Sequence, residues 1–172
     1  MSETSPQRTF LHVGCGGDPA PAWLDAYKEV RLDIDETHKP DIVASMLDLG
    51  DIGQYDVVYL SHSLEHVYPH QVPVALEEFR RVLKDDGFVA IVVPDLEDIR
   101  PTEDVVYESP AGPVTGLDMY YGMARLIAEN PYMAHKCGFT QITLSKALEE
   151  AGFSKVKAQR LQGFNLLGVG IK

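Results

Sequence analysis

The sequence predicts an α/β fold: a doubly wound, mostly parallel sheet of seven strands whose last strand runs antiparallel. Three observations carry this expectation. Short apolar strand signals alternate with helical ones along the chain. The segment Asp56-Val57-Val58-Tyr59-Leu60 is apolar on both faces, as a central parallel strand is when layers cover both its sides. The first apolar run, Phe10-Leu11-His12-Val13, stops at Gly14-Cys15-Gly16-Gly17, the pattern of a buried strand that ends in a tight turn.

Taken in order, residues 10–13 form the first strand. The helix expected next is interrupted by Asp18-Pro19-Ala20-Pro21, because proline lacks an amide hydrogen and clashes with the preceding turn; it is reduced to residues 22–29. Strands follow at 30–34, 41–44 and 56–60. Residues 72–83 carry Val72, Ala75, Leu76, Phe79, Val82 and Leu83 at the spacing of one helical face. Lys84-Asp85-Asp86-Gly87 turns the chain into a fifth strand, 88–93, closed by Pro94. Residues 100–115 are rich in Pro, Gly and acidic side chains and read as a long loop, the kind of segment that is often functional. One amphipathic helix is expected over 117–129, ending before Asn130-Pro131. Another is expected over 143–151, opened by a Thr or Ser cap and stopped at Gly152. The strands at 155–161 and 166–171 are joined by Gln162-Gly163-Phe164-Asn165, short enough for a hairpin.

Composition excludes several classes. The 172 residues suit one domain with a sizeable core, and 45% are hydrophobic. With 15 Lys and Arg against 26 Asp and Glu, the net charge is −11 and basic residues are scattered. Nucleic acid and anionic membranes are therefore not expected partners. Cys15 and Cys137 lie too far apart in sequence for a disulfide framework or a zinc spacing, so no metal is expected. Residues 1–8 hold no signal-peptide core and no run is long enough to span a bilayer, which points to the cytoplasm.

The glycine turn has an acidic counterpart about twenty residues on, in Val30-Arg31-Leu32-Asp33-Ile34-Asp35. A bare turn lets a ligand approach the backbone, and a carboxylate at the next strand's end accepts hydrogen bonds from both ribose hydroxyls. Gly14, Cys15, Gly16, Asp33 and the adjoining Ile34 are therefore expected to hold a nucleoside-type cofactor. Asp35 is read as a solvated loop acid.

Further motifs extend this reading to a family. Leu11-His12-Val13-Gly14-Cys15-Gly16 resembles the first motif of class I S-adenosylmethionine-dependent methyltransferases, with Asp33 where that family keeps its ribose-binding acid. Tyr55 to Val67 resembles the fourth-strand motif, and Glu78 to Gly87 the helix and turn before the fifth strand. Val93-Pro94-Asp95-Leu96-Glu97, His135 to Thr140, and Leu148 to Phe153 continue the likeness over nearly the whole chain. Two departures stand out. The helix after the first strand is broken, and Ser45 replaces the usual acid before the adenine-contacting turn, giving Ser45-Met46-Leu47-Asp48.

The resemblance implies a Rossmann-like methyltransferase domain over 1–172, with 100–140 as a substrate-side insertion. It implies S-adenosyl-L-methionine as methyl donor, S-adenosyl-L-homocysteine as product, and a small-molecule acceptor methylated by in-line displacement without metal. Ser45, Met46 and Leu47 would border the adenine, and Ser61 would close the cofactor site at the fourth strand. His62 and His135 are the catalytic candidates, able to orient an acceptor or accept a proton. Asp95, Tyr120 and Tyr121 are the substrate candidates, since aromatic faces stack on flat acceptors and shield a sulfonium. Glu65 and His66 are read as capping or packing residues, and the Cys15 thiol as inert packing. Two alternatives stay open: a cofactor-binding or accessory module without turnover, and a nicotinamide oxidoreductase. The second is disfavoured because Pro19 holds the third glycine position of Gly-x-Gly-x-x-Gly.

Overall fold

The structure is a computed structural model that describes residues 7–172; residues 1–6 of the polar N-terminal stretch lie outside the described residues. The strands are β1 (Thr9–Val13), β2 (Lys28–Asp33), β3 (Ile42–Val43), β4 (Tyr55–Ser61), β5 (Leu83–Pro94), β6 (Val105–Ser109), β7 (Gly112–Thr115), β8 (Ser154–Leu161) and β9 (Asn165–Ile171). The helices are α1 (Val72–Arg81), α2 (Gly116–Tyr121), α3 (Ala124–Glu129) and α4 (Gln141–Glu150). Seven strands form one sheet in the order β3-β2-β1-β4-β5-β9-β8. Pairing is parallel from β3 to β5, whereas β9 runs antiparallel to both β5 and β8, as the short 162–165 connection requires. Among the described residues no helix is long and apolar enough to cross a membrane.

The two faces of the sheet are covered unequally. On one face Leu11, Val58, Leu60, Val89 and Ile91 pack under Leu76 and Phe79 of α1 and Leu144 and Leu148 of α4, all fully buried. On the other, Phe10, Val57, Tyr59 and Ala90 meet only Leu24 and its neighbours from the segment between β1 and β2. Trp23 stands edge-on to Tyr59 there, at 86° and 5.9 Å, and stays half exposed.

α4 lies close to the sheet because β9 offers glycines beneath it. A Cβ on Gly168 would stand 2.7 Å from Leu144 Cδ2, and one on Gly170 would stand 2.7 Å from Phe153 Cβ. Overpacking at such a contact costs about 1–3 kcal/mol. A Gly168→Val protein is accordingly expected to lose stability of that order in urea unfolding, with no change in the slope of the transition.

Four local expectations are corrected. The helix expected at 22–29 is a single 3-10 turn, Ala22–Leu24, and β2 already begins at Lys28; Pro19 and Pro21 leave too little chain for a second turn. The loop expected at 100–115 contains the β6–β7 hairpin, in which Val105, Tyr107 and Val114 supply the strand-forming side chains and Gly112 the turn, at φ +110°. The helix expected over 117–129 is split into α2 and α3. Gly122 adopts φ +84° there, and a Cβ on it would meet the Met133 carbonyl at 2.6 Å. α4 starts two residues early, because Thr140 caps it by accepting from the Thr143 amide.

Candidate functional site

Strand order reverses between β1 and β4, and the carboxyl ends of β1, β2 and β4 open there onto one cavity of about 360 Å³. Gly14 lies at φ +62°, and a Cβ on it would fall 2.4 Å from Ser63 Oγ. The Ser63 hydroxyl faces the Gly14 carbonyl at 3.2 Å and the Ser61 carbonyl at 3.1 Å, which ties the turn to the end of β4. Gly16, at φ +47°, donates its amide to Asp33 Oδ2 at 2.8 Å, and Asp33 Oδ1 accepts from the Asp35 amide at 2.9 Å. A carboxylate has about four acceptor positions, so Asp33 can hold the turn and still receive two hydroxyls from the cavity.

The broken helix leaves loop carbonyls without intrahelical donors, and Arg31 supplies them. Its guanidinium donates to the carbonyls of Gly16 at 2.8 Å, Asp18 at 3.3 Å and Cys15 at 3.4 Å. Glu29 in turn bridges Arg31 and His12, whose Nδ1 lies 2.7 Å from Oε1; burial outweighs that contact and lowers the His12 pKa. Arg31 is not among the residues singled out from the sequence, where its signal is a basic residue two places before Asp33. An Arg31→Met protein is expected to bind a ligand of the turn about tenfold more weakly by calorimetry, the equivalent of one charged hydrogen bond lost.

Ala44, Ser45, Met46 and Leu47 form a second wall, where Ser45 Oγ accepts from the Leu47 amide at 3.2 Å. The cavity thus collects Gly14, Gly16, Asp33, Ile34, Ser45, Met46, Leu47, Ser61 and His62 of the residues singled out above. Asp35 also belongs to it and accepts from Asn130 Nδ2 at 3.2 Å, so it is more than a solvated acid.

The other candidates fall elsewhere. Cys15 is buried beneath the turn, outside the cavity lining, and burial raises its thiol pKa. Asp95 is buried in an ion pair with Arg160 and accepts from the Glu97 amide. Tyr120 donates its hydroxyl to the Ile99 carbonyl, and Tyr121 is 65% exposed; neither lines the cavity. The break at Gly122 lets α2 seat on the β6–β7 hairpin, where Met119 and Tyr120 join Ile99 and Val114. The far wall is instead built by Asn130, Tyr132, Met133 and Lys136, with Tyr68 and Gln71 beside them.

A cluster of three histidines surrounds one acid at the end of β4. His62 sits at φ +51°, a strained conformation for a residue with a side chain, and such strain persists where surroundings enforce it. Its Nε2 lies 2.9 Å from Asn165 Oδ1, and its Nδ1 lies 3.4 Å from Glu65 Oε1. Glu65 is fully buried, and neither of its carboxylate oxygens has a hydrogen-bond partner. His66 borders the cavity, while His135 lies behind it, with ring centroids 5.3 Å apart.

Burial disfavours the Glu65 charge, but the close approach of His62 and the fields of His66 and His135 together hold its pKa below the ordinary glutamate value. Burial likewise opposes protonation of His62, and the Glu65 contact overcomes it, so the His62 pKa is raised. For His135 burial prevails and the pKa is lowered. Burial, with the Glu65 charge, pushes Cys137 up to about 12, which leaves its thiol unreactive.

Comparison with known proteins gives a consistent picture. Residues 3–158 match the family described as "Methyltransferase domain". The fold is similar to that of a SAM-dependent methyltransferase from Archaeoglobus fulgidus (TM-score 0.66, 16% identity, 97% of this chain and 87% of that one). It is also similar to PigF solved with SAH (TM-score 0.62, 22% identity, 99% of this chain), of which it spans 52%. A third likeness is to 1,6-didemethyltoxoflavin-N1-methyltransferase from Burkholderia thailandensis, solved with 1,6-didemethyltoxoflavin and S-adenosylhomocysteine (TM-score 0.63, 16% identity, 96% of this chain and 71% of that one). No curated protein sequence is significantly similar.

Proposed function

The chain belongs to the methyltransferase domain family, and from that premise we propose that it binds S-adenosylmethionine in the β1–β2–β4 cavity and methylates a small-molecule acceptor. One observation supports the reading above the rest: a side-chain-free turn at Gly14 and Gly16 is hydrogen-bonded to Asp33 inside a single cavity. The residues fit such a donor. Gly14 and Gly16 leave backbone exposed to the amino-acid tail, Asp33 keeps acceptor positions for the ribose, and Met46 and Leu47 offer an apolar edge to the adenine. PigF and the toxoflavin enzyme, solved with SAH or S-adenosylhomocysteine, are relatives in fold whose bound product is of this kind. The donor supplies an electrophilic methyl group, and the protein's work is to align the acceptor and exclude water.

Within the domain, residues 100–140 act as the acceptor-side segment, through Asn130, Tyr132 and Met133. His62 accepts the acceptor's proton or orients it, from the strained end of β4. The base form of His62 is the neutral ring, and its pKa is raised. In protein treated with a chelator, activity on a protic acceptor is therefore expected to fall on the acid side with a midpoint above the ordinary histidine value of about 6.5, and a His62→Gln protein is expected to lose that limb.

Calorimetry with S-adenosylmethionine and S-adenosylhomocysteine, followed by product assays on a panel of small acceptors, tests the proposal. Binding with turnover supports it. Binding without turnover on any acceptor favours an accessory module, and tight dinucleotide binding with no response to S-adenosylmethionine overturns it.

A further inference from the structure

We propose that Glu65, His66 and His135 form a binding site for one divalent transition-metal ion at the wall of the cavity. The first observation is the donor set. One ligand atom from each of the three residues lies within 4.8 Å of the other two, giving two imidazoles and a carboxylate. That combination suits Zn²⁺, Fe²⁺, Co²⁺ or Mn²⁺ better than the all-oxygen demands of Mg²⁺ or Ca²⁺.

The second observation is independent of it. Among the described residues, Glu65 is the only one with buried side-chain polar atoms that lack a hydrogen-bond partner, and both its oxygens are in that state. A buried carboxylate is costly unless a cation or several donors meet it. None of its three histidine neighbours hydrogen-bonds it: both His66 nitrogens and His135 Nδ1 face backbone carbonyls. His62 Nδ1 comes no nearer than an ion-pair distance of 3.4 Å.

The outer contacts also suit a metal. His135 Nδ1 donates to the Met119 carbonyl at 3.0 Å, which fixes the tautomer and leaves the Nε2 lone pair free. His66 Nδ1 and Nε2 lie 3.1 Å and 3.0 Å from the carbonyls of Ala134 and His62. To ligate, the His66 ring turns so that one nitrogen leaves its carbonyl, while the other keeps donating to its own and holds the ring's orientation. Ligand atoms about 2.0–2.2 Å from an ion stand roughly 3 Å apart, so the three donors must draw together by less than roughly 2 Å, within reach of side-chain rotation. His66 borders the cavity, so the ion's open positions adjoin its contents.

Titrating the untagged 172-residue chain with Co²⁺ tests the site without any methyl donor, so the outcome is separate from the question of S-adenosylmethionine binding. The expected result is one Co²⁺ per chain, with a visible absorption band that Zn²⁺ abolishes. Glu65→Gln and His135→Asn are each expected to weaken binding at least about tenfold, while His70→Asn leaves it unchanged. If Glu65→Gln fails to fold by circular dichroism, His135→Asn carries the same test. Two results would overturn the site: no saturable binding below about 100 μM, or binding retained in both variants. The rival arrangement, a proton shared among the rings in place of the ion, predicts the first of these.

Discussion

A Gly14→Val protein is expected to lose at least about a hundredfold in affinity for S-adenosylhomocysteine, which corresponds to about 3 kcal/mol. Two effects combine. Gly14 sits at φ +62°, where an L-residue costs roughly 1–2 kcal/mol and a β-branched one more. Its new Cβ would also lie 2.4 Å from Ser63 Oγ, so either the turn or the end of β4 must shift. Both border the cavity, and either shift spoils the approach of a ligand to the backbone. A companion Gly14→Val/Ser63→Gly protein removes the clash but not the φ strain, and is expected to recover only part of the affinity. Circular dichroism and urea unfolding show whether the sheet survives. A Gly14→Val protein that folds and binds within a few-fold of the parent would remove the turn from the site.

Asp33→Ala carries the second large effect, again about a hundredfold in calorimetry with S-adenosylhomocysteine. In the proposed binding mode the carboxylate receives two ribose hydroxyls, and each hydrogen bond to a charged group contributes about 1.5–3 kcal/mol. The substitution also frees the Gly16 and Asp35 amides that Asp33 now holds, which loosens the turn. Asp33→Asn keeps one acceptor oxygen without the charge and is expected to fall between, at roughly tenfold. Equal binding by Ala, Asn and parent proteins would assign Asp33 to turn geometry alone.

The strand half of the site was legible because its signals are local. An apolar run ending in glycines and an acid one strand later sit at fixed chain separations, and the parallel pairing of β1 with β2 then brings Asp33 beside Gly16. The helix-poor half was not legible in the same way. Residues 22–29 kept a helical look, although Pro19 and Pro21 leave room for one 3-10 turn, and Arg31 gained its role only because that helix is missing. Tyr120 and Tyr121 looked like acceptor contacts, but the φ +84° of Gly122 splits the helix and turns α2 onto the hairpin. Tyr132 and Met133, a few residues on, reach the cavity in their place. From the sequence Glu65 is a capping or packing residue, and nothing in its neighbourhood marks its carboxylate as fully buried and unpaired. Its burial depends on residues 134–137, whose amides at Lys136 and Cys137 both donate to the Glu65 carbonyl across a long stretch of chain.

A crystal structure of the protein with S-adenosylhomocysteine bears most directly on the central claim, that one cavity grips a sulfur-linked nucleoside through a bare turn and a neighbouring acid. The expected density places the ribose hydroxyls on Asp33, the amino-acid tail along Gly14 to Gly16, and the sulfur toward Ser61 and His62. Density for the ligand on any other surface, or an unchanged cavity at saturating ligand, would contradict it.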